Sequence, residues 1–117
     1  MDGASNRVFV ADPRNKRIQV FDTNGKFVAK WPVEQWQPKS WNLQDLIIDS
    51  NAKRLYASSV TTDEVLVFDL AGNKIGSLKP QRPDKLEGAS ALGLFDGKLY
   101  VLNTFGNRVS QIDLEKK

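Results

Sequence analysis

The chain has 117 residues, a formal net charge of +3, and neither cysteine nor histidine. Without cysteine there are no disulfides, thiolate metal sites or cysteine nucleophiles, and without histidine the commonest metal ligand and general base is missing. The mild positive charge permits an anionic partner without demanding one. The 40% apolar content is ordinary for a packed domain, and no apolar run predicts a membrane span or a signal peptide.

The predicted elements begin with a two-strand unit. Residues 8–12 form an apolar run that predicts a strand covered on both faces, residues 13–16 form a turn, and residues 17–22 form the next strand. Asp22-Thr23-Asn24-Gly25 predicts a hairpin turn in which the glycine supplies a positive φ angle. An outer strand at residues 27–31 is ended by a proline.

The same unit returns twice further along the chain. Predicted strands at residues 43–49, 74–79 and 89–95 surround the second and third copies. The repeat is anchored in its first strand at Arg7, Arg54 and Lys98, and in its second strand at Arg17, Glu64 and Arg108. Both sets of anchors are separated by 47 and then by 44 residues. Because two anchors share one spacing, they indicate a repeat, and a period of about 40–50 residues is typical of β-propellers and similar arrays.

The predicted fold is all-β: a β-propeller segment, or half-propeller, of roughly three four-stranded antiparallel blades. With strands named a to d from the centre outward, the first blade (6–33) holds b to d, the second (43–79) holds all four, and the third (89–114) holds a to c. No segment predicts a helix. A closed propeller has at least four blades of about 40 residues each. We therefore expect either two copies in a six-blade ring or completion by the remainder of a larger propeller.

The repeated residues resemble NHL repeats, a β-propeller family. The resemblance is carried by Val8-Phe9-Val10-Ala11-Asp12, Asn15, Arg17-Ile18-Gln19-Val20-Phe21-Asp22 and Gly25, by Leu55-Tyr56-Ala57, Val65-Leu66-Val67-Phe68-Asp69 and Gly72, and by Leu99-Tyr100-Val101, Asn107-Arg108-Val109 and Asp113. The second copy departs from the family at Ser59 and Glu64, and the third departs at Gln111. These departures leave the expected propeller in place but weaken the expectation that one ion pair braces every corner.

Three motifs have both a chemical and a structural interpretation. Asp12 and Arg17 face each other across one turn, and we expect an ion pair that braces the corner rather than a catalytic pair. Residues 22–25 resemble the start of a calcium loop but lack its later ligands, so a simple turn is expected. Asp45 and Asp49 alternate along one strand, where solvated strand ends are expected rather than an acid–base pair.

The candidate binding residues lie in the b–c and d–a loops, which emerge on one face of a propeller. These loops carry cations interleaved with aromatic residues: Arg14, Lys16, Trp36, Lys39, Trp41, Arg82, Lys85 and Phe105. Such a group can stack on bases or sugar rings and contact phosphates, and tryptophan is also enriched at protein interfaces. In the alternative interpretation, Trp36 and Trp41 fill gaps between neighbouring blades.

The sequence favours a non-catalytic scaffold that binds protein through the propeller face and the open blade edges and is completed by self-association, with a dimer favoured. Binding of RNA or an acidic glycan on the basic, aromatic face is one alternative, and a structural slice of a larger propeller enzyme is the other. We expect no catalytic residue, metal, cofactor or membrane insertion.

Two expectations concern packing. Phe9, Tyr56 and Tyr100 share one repeat position and are predicted to be buried between blades. The outer faces of the two terminal blades are predicted to be apolar, as Val8, Val10, Leu102 and Ile112 indicate.

Overall fold

The computed structural model describes residues 6–36, 44–60, 62–80 and 84–114. Within these ranges, the strands are β1 (Arg7–Asp12), β2 (Arg17–Asp22), β3 (Phe27–Pro32), β4 (Leu46–Asp49), β5 (Arg54–Ser59), β6 (Glu64–Asp69), β7 (Lys74–Leu78), β8 (Ala89–Phe95), β9 (Lys98–Asn103) and β10 (Arg108–Asp113). A 3₁₀ turn at Pro13–Asn15 joins β1 to β2, and the described residues contain no α-helix. The all-β class predicted from the sequence is confirmed.

The strands form three antiparallel sheets. Sheet 1 has the order β1-β2-β3, sheet 2 the order β4-β5-β6-β7, and sheet 3 the order β10-β9-β8. The three, four and three strands agree with the predicted strand counts. Of the strand predicted over residues 43–49, Leu43 lies outside the described residues. Gln44 and Asp45 precede the strand, because the Asp45 N–H donates to Ser58 Oγ and the Asp45 carboxylate accepts from the Leu46 N–H. β4 therefore begins only at Leu46.

Sheets 1 and 2 enclose the first of two apolar clusters. In sheets 1 and 2, we call the face that points to the next sheet along the chain the front face, and the opposite face the back face. In sheet 3, the back face points to sheet 2 and the front face is the opposite one. Phe9, Ile18 and Val20 lie on the front of sheet 1, and Leu55, Ala57, Leu66 and Phe68 lie on the back of sheet 2. Trp31 of β3 also joins this cluster, and its ring centroid lies 6.0 Å from that of Phe68.

The second cluster repeats the first between sheets 2 and 3. Tyr56, Val65 and Val67 lie on the front of sheet 2, and Leu99, Val101 and Ile112 lie on the back of sheet 3. Each of these positions follows its counterpart in the first cluster by 47 or 44 residues. Strand alternation therefore directs one set of repeat positions to the next sheet and the other set to the preceding sheet.

The stacking of the sheets determines whether the aromatic residue at the shared repeat position is buried. Tyr56 is buried at 5% exposure and Phe9 is buried as well, as predicted, because each has a following sheet to face. Tyr100 is only half-buried, since its front face has no described sheet beyond it. For the same reason the expectation that residues 8–12 are covered on both faces is wrong, and Val10 is exposed on the back of sheet 1.

The turns between strands c and d are the same in sheets 1 and 2. Asp22 Oδ1 accepts hydrogen bonds from the N–H groups of Asn24 and Lys26, both at 2.9 Å. Asp69 Oδ1 accepts in the same way from Ala71 and Asn73. The turn predicted at residues 22–25 is confirmed, because its carboxylate is engaged by the backbone of its own turn.

Candidate functional site

Five of the sequence-predicted binding residues lie at one end of the sheets, which we call the loop end. It comprises the described residues 13–16, 33–36, 60, 62–63, 79–80, 84–88 and 104–107. Lys39, Trp41 and Arg82 lie outside the described residues. The other five predicted residues divide into three separate environments.

Trp36 is an interior residue. Its side chain is completely buried in the first apolar cluster, and its Nε1–H donates a 2.8 Å hydrogen bond to the Ser58 carbonyl oxygen. The indole therefore ties the segment after β3 to β5 of sheet 2. The prediction of Trp36 as a binding residue is wrong, because its ring fills the gap between two sheets, as the alternative interpretation held.

Arg14 and Lys16 lie in the 3₁₀ turn between β1 and β2. Arg14 is exposed, whereas Lys16 is half-buried in a left-handed conformation with φ 54°, and its carbonyl oxygen accepts from the Val33 N–H at 2.7 Å. Beside them, Asp12 accepts hydrogen bonds from Asn15 and from Arg17 Nε, the latter at 2.8 Å. The hydrogen bonds from Asn15 and then Arg17 lower the pKa of Asp12. The predicted Asp12–Arg17 ion pair is confirmed.

The equivalent corners of the other sheets use different chemistry. In sheet 2, the Thr62 hydroxyl donates to Ser59 Oγ at 2.7 Å. In sheet 3, Asn103 donates to Ser110 Oγ and accepts from the Glu87 N–H, both at 2.8 Å. The sequence departure at Ser59 thus removes the ion pair, and a hydrogen bond between two hydroxyl groups takes its place.

Lys85 and Phe105 come together at the loop end of sheet 3. Phe105 is 68% exposed, yet its ring packs on Gly88, where an added Cβ would lie 2.7 Å from Phe105 Cδ2. The exposed Lys85 Nζ lies 3.8 Å from Glu87 Oε2. The loop between β7 and β8, which carries Lys85, and the loop between β9 and β10, which carries Phe105, therefore meet here, and we call them the loop pair. The Glu87 carboxylate lies beside the Lys85 ammonium group.

Arg108 holds that loop pair on the sheet. Its Nη2 donates to Asp84 Oδ1 at 2.7 Å and to the Lys85 carbonyl oxygen, and its Nη1 donates to Glu87. The Arg108 hydrogen bond lowers the pKa of Asp84, and the Asp84 and Glu87 carboxylates raise the pKa of Arg108. Sequence reasoning placed Arg108 in the repeat but did not assign it this role, because residues 84–87 lie more than 20 positions away.

A cleft of about 640 Å³ opens beside this cluster, between residues 62–63 and residues 79–80 and 84–86. Its charged lining mixes both signs, with Asp63 and Asp84 against Lys79 and Lys85. Asp63 Oδ1 accepts a hydrogen bond from the Gly88 N–H at 2.7 Å. Within the described ranges, no group of three or more Asp and Glu side chains is placed to hold a metal ion.

The Asp45 and Asp49 carboxylates have separate partners. Asp45 Oδ2 accepts from the Leu92 N–H at 3.0 Å, which joins sheet 2 to sheet 3, whereas Asp49 Oδ1 accepts from the Ala52 N–H at 3.2 Å. The expectation of solvated strand ends is wrong for Asp45, which is a link between sheets.

A second candidate surface consists of the two sheet faces that have no neighbouring sheet among the described residues. The free back face of sheet 1 presents Val8, Val10 and Phe21, and the free front face of sheet 3 presents Tyr100, Leu102 and Val109. Val10 is 38% exposed, Leu102 42% and Val109 59%. Ile112 was predicted on the same free face, but it is buried, because strand alternation turns it toward sheet 2.

Comparison with models of known protein families and with curated proteins finds no match for this chain. The resemblance to NHL repeats therefore rests on the residues quoted above and stays a prediction. In the part of the chain that the structure describes, there is no helix with the length and apolarity to cross a membrane.

Proposed function

We propose that this chain is a non-catalytic binding scaffold, a half-propeller of NHL type that binds protein through its free sheet faces, first of all a second copy of itself. One observation carries the proposal. Repeat positions that pack against a neighbouring sheet where one is described are exposed and apolar at both ends of the stack, at Val10, Leu102 and Val109. Contiguous apolar surface of this kind marks interaction sites in soluble proteins.

The edge strands support the same proposal. Among the described strands, β1 pairs only with β2, and β10 pairs only with β9. Each of these strands therefore lacks a described neighbouring strand on one side, where an edge strand can pair with another chain. Main-chain pairing there would add to the apolar contact made by the adjoining face.

Light scattering coupled to size-exclusion chromatography tests the proposal. We expect the mass to rise with concentration from that of one 13.1 kDa chain toward twice that value. The free faces also carry polar residues, so we expect association at about micromolar concentration rather than an obligate dimer. A folded chain that stays monomeric at roughly 100 µM, about 100 times that concentration, would contradict the proposal.

A second candidate function is binding of RNA or an acidic glycan at the loop end, which the exposed side chains of Arg14, Lys85 and Phe105 favour. Two observations weigh against it. Trp36 is buried, and the charge of Arg108 is balanced by Asp84 and Glu87. The third alternative, a slice of a propeller enzyme, has no observation in its favour among the described residues.

Salt dependence tests this second candidate. Binding to a homopolymeric RNA or to heparin should weaken steeply as salt rises, since phosphate or sulfate contacts release counterions. Replacing Arg14 and Lys16 with alanine should flatten that slope. If no binding is found even at low salt, this candidate is eliminated and the protein-binding proposal is unaffected.

A further inference from the structure

The two contacts between sheets inside this chain are the same contact made twice. The front residues Phe9, Ile18 and Val20 pack on the back of sheet 2. Their counterparts 47 residues later, Tyr56, Val65 and Val67, pack on the back of sheet 3. The chain therefore has one way of joining two sheets, which is front to back.

The same positions recur once more without a described partner. The front of sheet 3 repeats them as Tyr100, Val109 and Gln111. At the other end, Val8, Val10 and Phe21 on the back of sheet 1 stand where sheet 2 has Leu55, Ala57 and Phe68. One copy of the chain thus carries the b and c strands of both halves of the contact, at opposite ends of the stack. The first strand of the receiving sheet, β4 or β8 in the internal contacts, has no counterpart among the described strands of sheet 1.

Resting on the self-association proposed above, we propose that two copies join head to tail, with the front face of sheet 3 of each copy packed on the back face of sheet 1 of the other. Each copy supplies one front and one back, so a two-fold rotation satisfies all four free faces. The rival dimer, in which two front faces meet each other, has no counterpart among the internal contacts.

Two glutamines on the free faces fit this arrangement. Gln19 stands where sheet 2 has the buried Leu66, and Gln111 stands where sheet 2 has the buried Val67. In the proposed contact the strands that carry them, β2 and β10, are strand c of their sheets and belong to the two faces that meet. Gln19 Nε2 donates to Asp12 Oδ2 at 3.3 Å within the chain. Its Oε1 and its second amide N–H can still bond to Gln111 across the contact. A glutamine buried in such a contact without a partner would weaken it.

Blocking one face at a time tests the inference. Val10→Lys places a charge on the back of sheet 1, and Val109→Lys places one on the front of sheet 3. Both residues are exposed in the single chain, so the fold should tolerate the change. Each variant alone should lose dimerisation by about 100-fold or more, because an unpaired charge is costly in a closed interface. Ile75→Lys, at a half-exposed site on β7 away from both faces, is the matched control and should dimerise normally.

Cross-linking then distinguishes the two geometries, since the natural chain has no cysteine. A mixture of Leu102→Cys and Val10→Cys chains, treated with a short bismaleimide, should give far more cross-linked dimer than either variant alone. Strong cross-linking of Leu102→Cys by itself, together with normal dimerisation of Val10→Lys, would overturn the head-to-tail inference while leaving self-association in place. A monomeric unsubstituted chain would overturn both proposals.

Discussion

Sheet 2 and sheet 3 are built from equivalent strands but differ in how many of their faces are covered. Four consecutive residues of β6, from Val65 to Phe68, are buried, because sheet 1 covers one face and sheet 3 the other. In β10 the burial alternates along the strand, with Ser110 and Ile112 buried and Val109 and Gln111 exposed. The difference follows from position in the stack. One repeat sequence can therefore be core in one copy and surface in the next.

The largest expected effect compares the two tyrosines at the shared repeat position. Tyr56→Ala should destabilise the chain by about 3–5 kcal/mol, the range for removing a buried aromatic ring. Tyr100→Ala should destabilise the chain clearly less in dilute solution, because Tyr100 is half-buried on the front of sheet 3, which no described sheet covers. Urea unfolding of both variants, at concentrations where the chain is monomeric, gives the two values. Equal losses would mean that the front of sheet 3 is already covered.

The burial of Tyr56 also affects its ionisation. Burial first, and then the Asp49 charge, raise the pKa of this phenol. A raised pKa means that the folded state holds the proton more tightly than the unfolded chain. The resulting stability is present below about pH 10, the ordinary tyrosine pKa, and is lost as the pH rises through the higher folded value.

The second comparison uses the glycines of the two equivalent turns. Gly25 and Gly72 have φ angles of 84° and 100°, so alanine is strained at either site, by about 1–2 kcal/mol. An added Cβ meets nothing within 4 Å at Gly25, whereas at Gly72 it would lie 2.7 Å from Trp31 Cε3. Overpacking against Trp31 should add about 1–3 kcal/mol for Gly72→Ala alone.

Thermal or urea unfolding of the two alanine variants measures this difference, and the Gly25 variant serves as the control for backbone strain. The effect of the Trp31 contact is the excess for Gly72 over Gly25. If the two variants lose the same stability, then Trp31 moves aside at little cost, and the contact between the outer strands of sheets 1 and 2 is looser than the structure indicates.

Period-two alternation and turn chemistry made most of the strands predictable from the sequence. The ion pair of Asp12 with Arg17 was predictable too, because its partners are five residues apart. The location of Trp36 was not, since its hydrogen bond to Ser58 joins two sheets over 22 residues and depends on how the sheets stack. The contacts of Arg108 with Asp84 and Glu87 were hidden for the same reason. Local patterns define the sheets, and the placement of one sheet on another decides which side chains remain available.

The third comparison replaces the glutamines of the two free faces with the apolar residues that sheet 2 has at the same repeat positions. Gln111→Val alone should leave the Gln19 Oε1 without its partner across the head-to-tail interface, while Gln19 Nε2 keeps its hydrogen bond to Asp12. We expect the dimer to weaken by about 1–3 kcal/mol. The double variant with Gln19→Leu should restore the affinity, because removing both polar partners can be neutral or favourable. Sedimentation equilibrium gives the dimer dissociation constants of both single variants and of the double variant, which complete a double-mutant cycle. Simple additivity of the two single changes would show that the glutamines do not meet.

The smallest expected effect distinguishes the corners of the end sheets from the corner of sheet 2. The pKa of Asp12 is lowered by Asn15 and Arg17 in sheet 1, and the pKa of Asp84 is lowered chiefly by Arg108 in sheet 3. A lowered folded pKa means that the stabilisation is complete above the ordinary carboxyl value of 3.8 and is lost as the pH falls through the lower folded value. At the equivalent corner of sheet 2, the hydrogen bond between Ser59 and Thr62 joins two uncharged hydroxyl groups. Below about pH 4, the protection of backbone amides against hydrogen exchange, taken relative to the intrinsic exchange rate at that pH, should therefore fall at the corners of sheets 1 and 3 before it falls at the corner of sheet 2. In Asp12→Asn the pH dependence at the sheet 1 corner should flatten while that of sheet 3 is kept. A sheet 1 corner that responds to acid equally in the variant would show that the Asp12 carboxylate does not brace it.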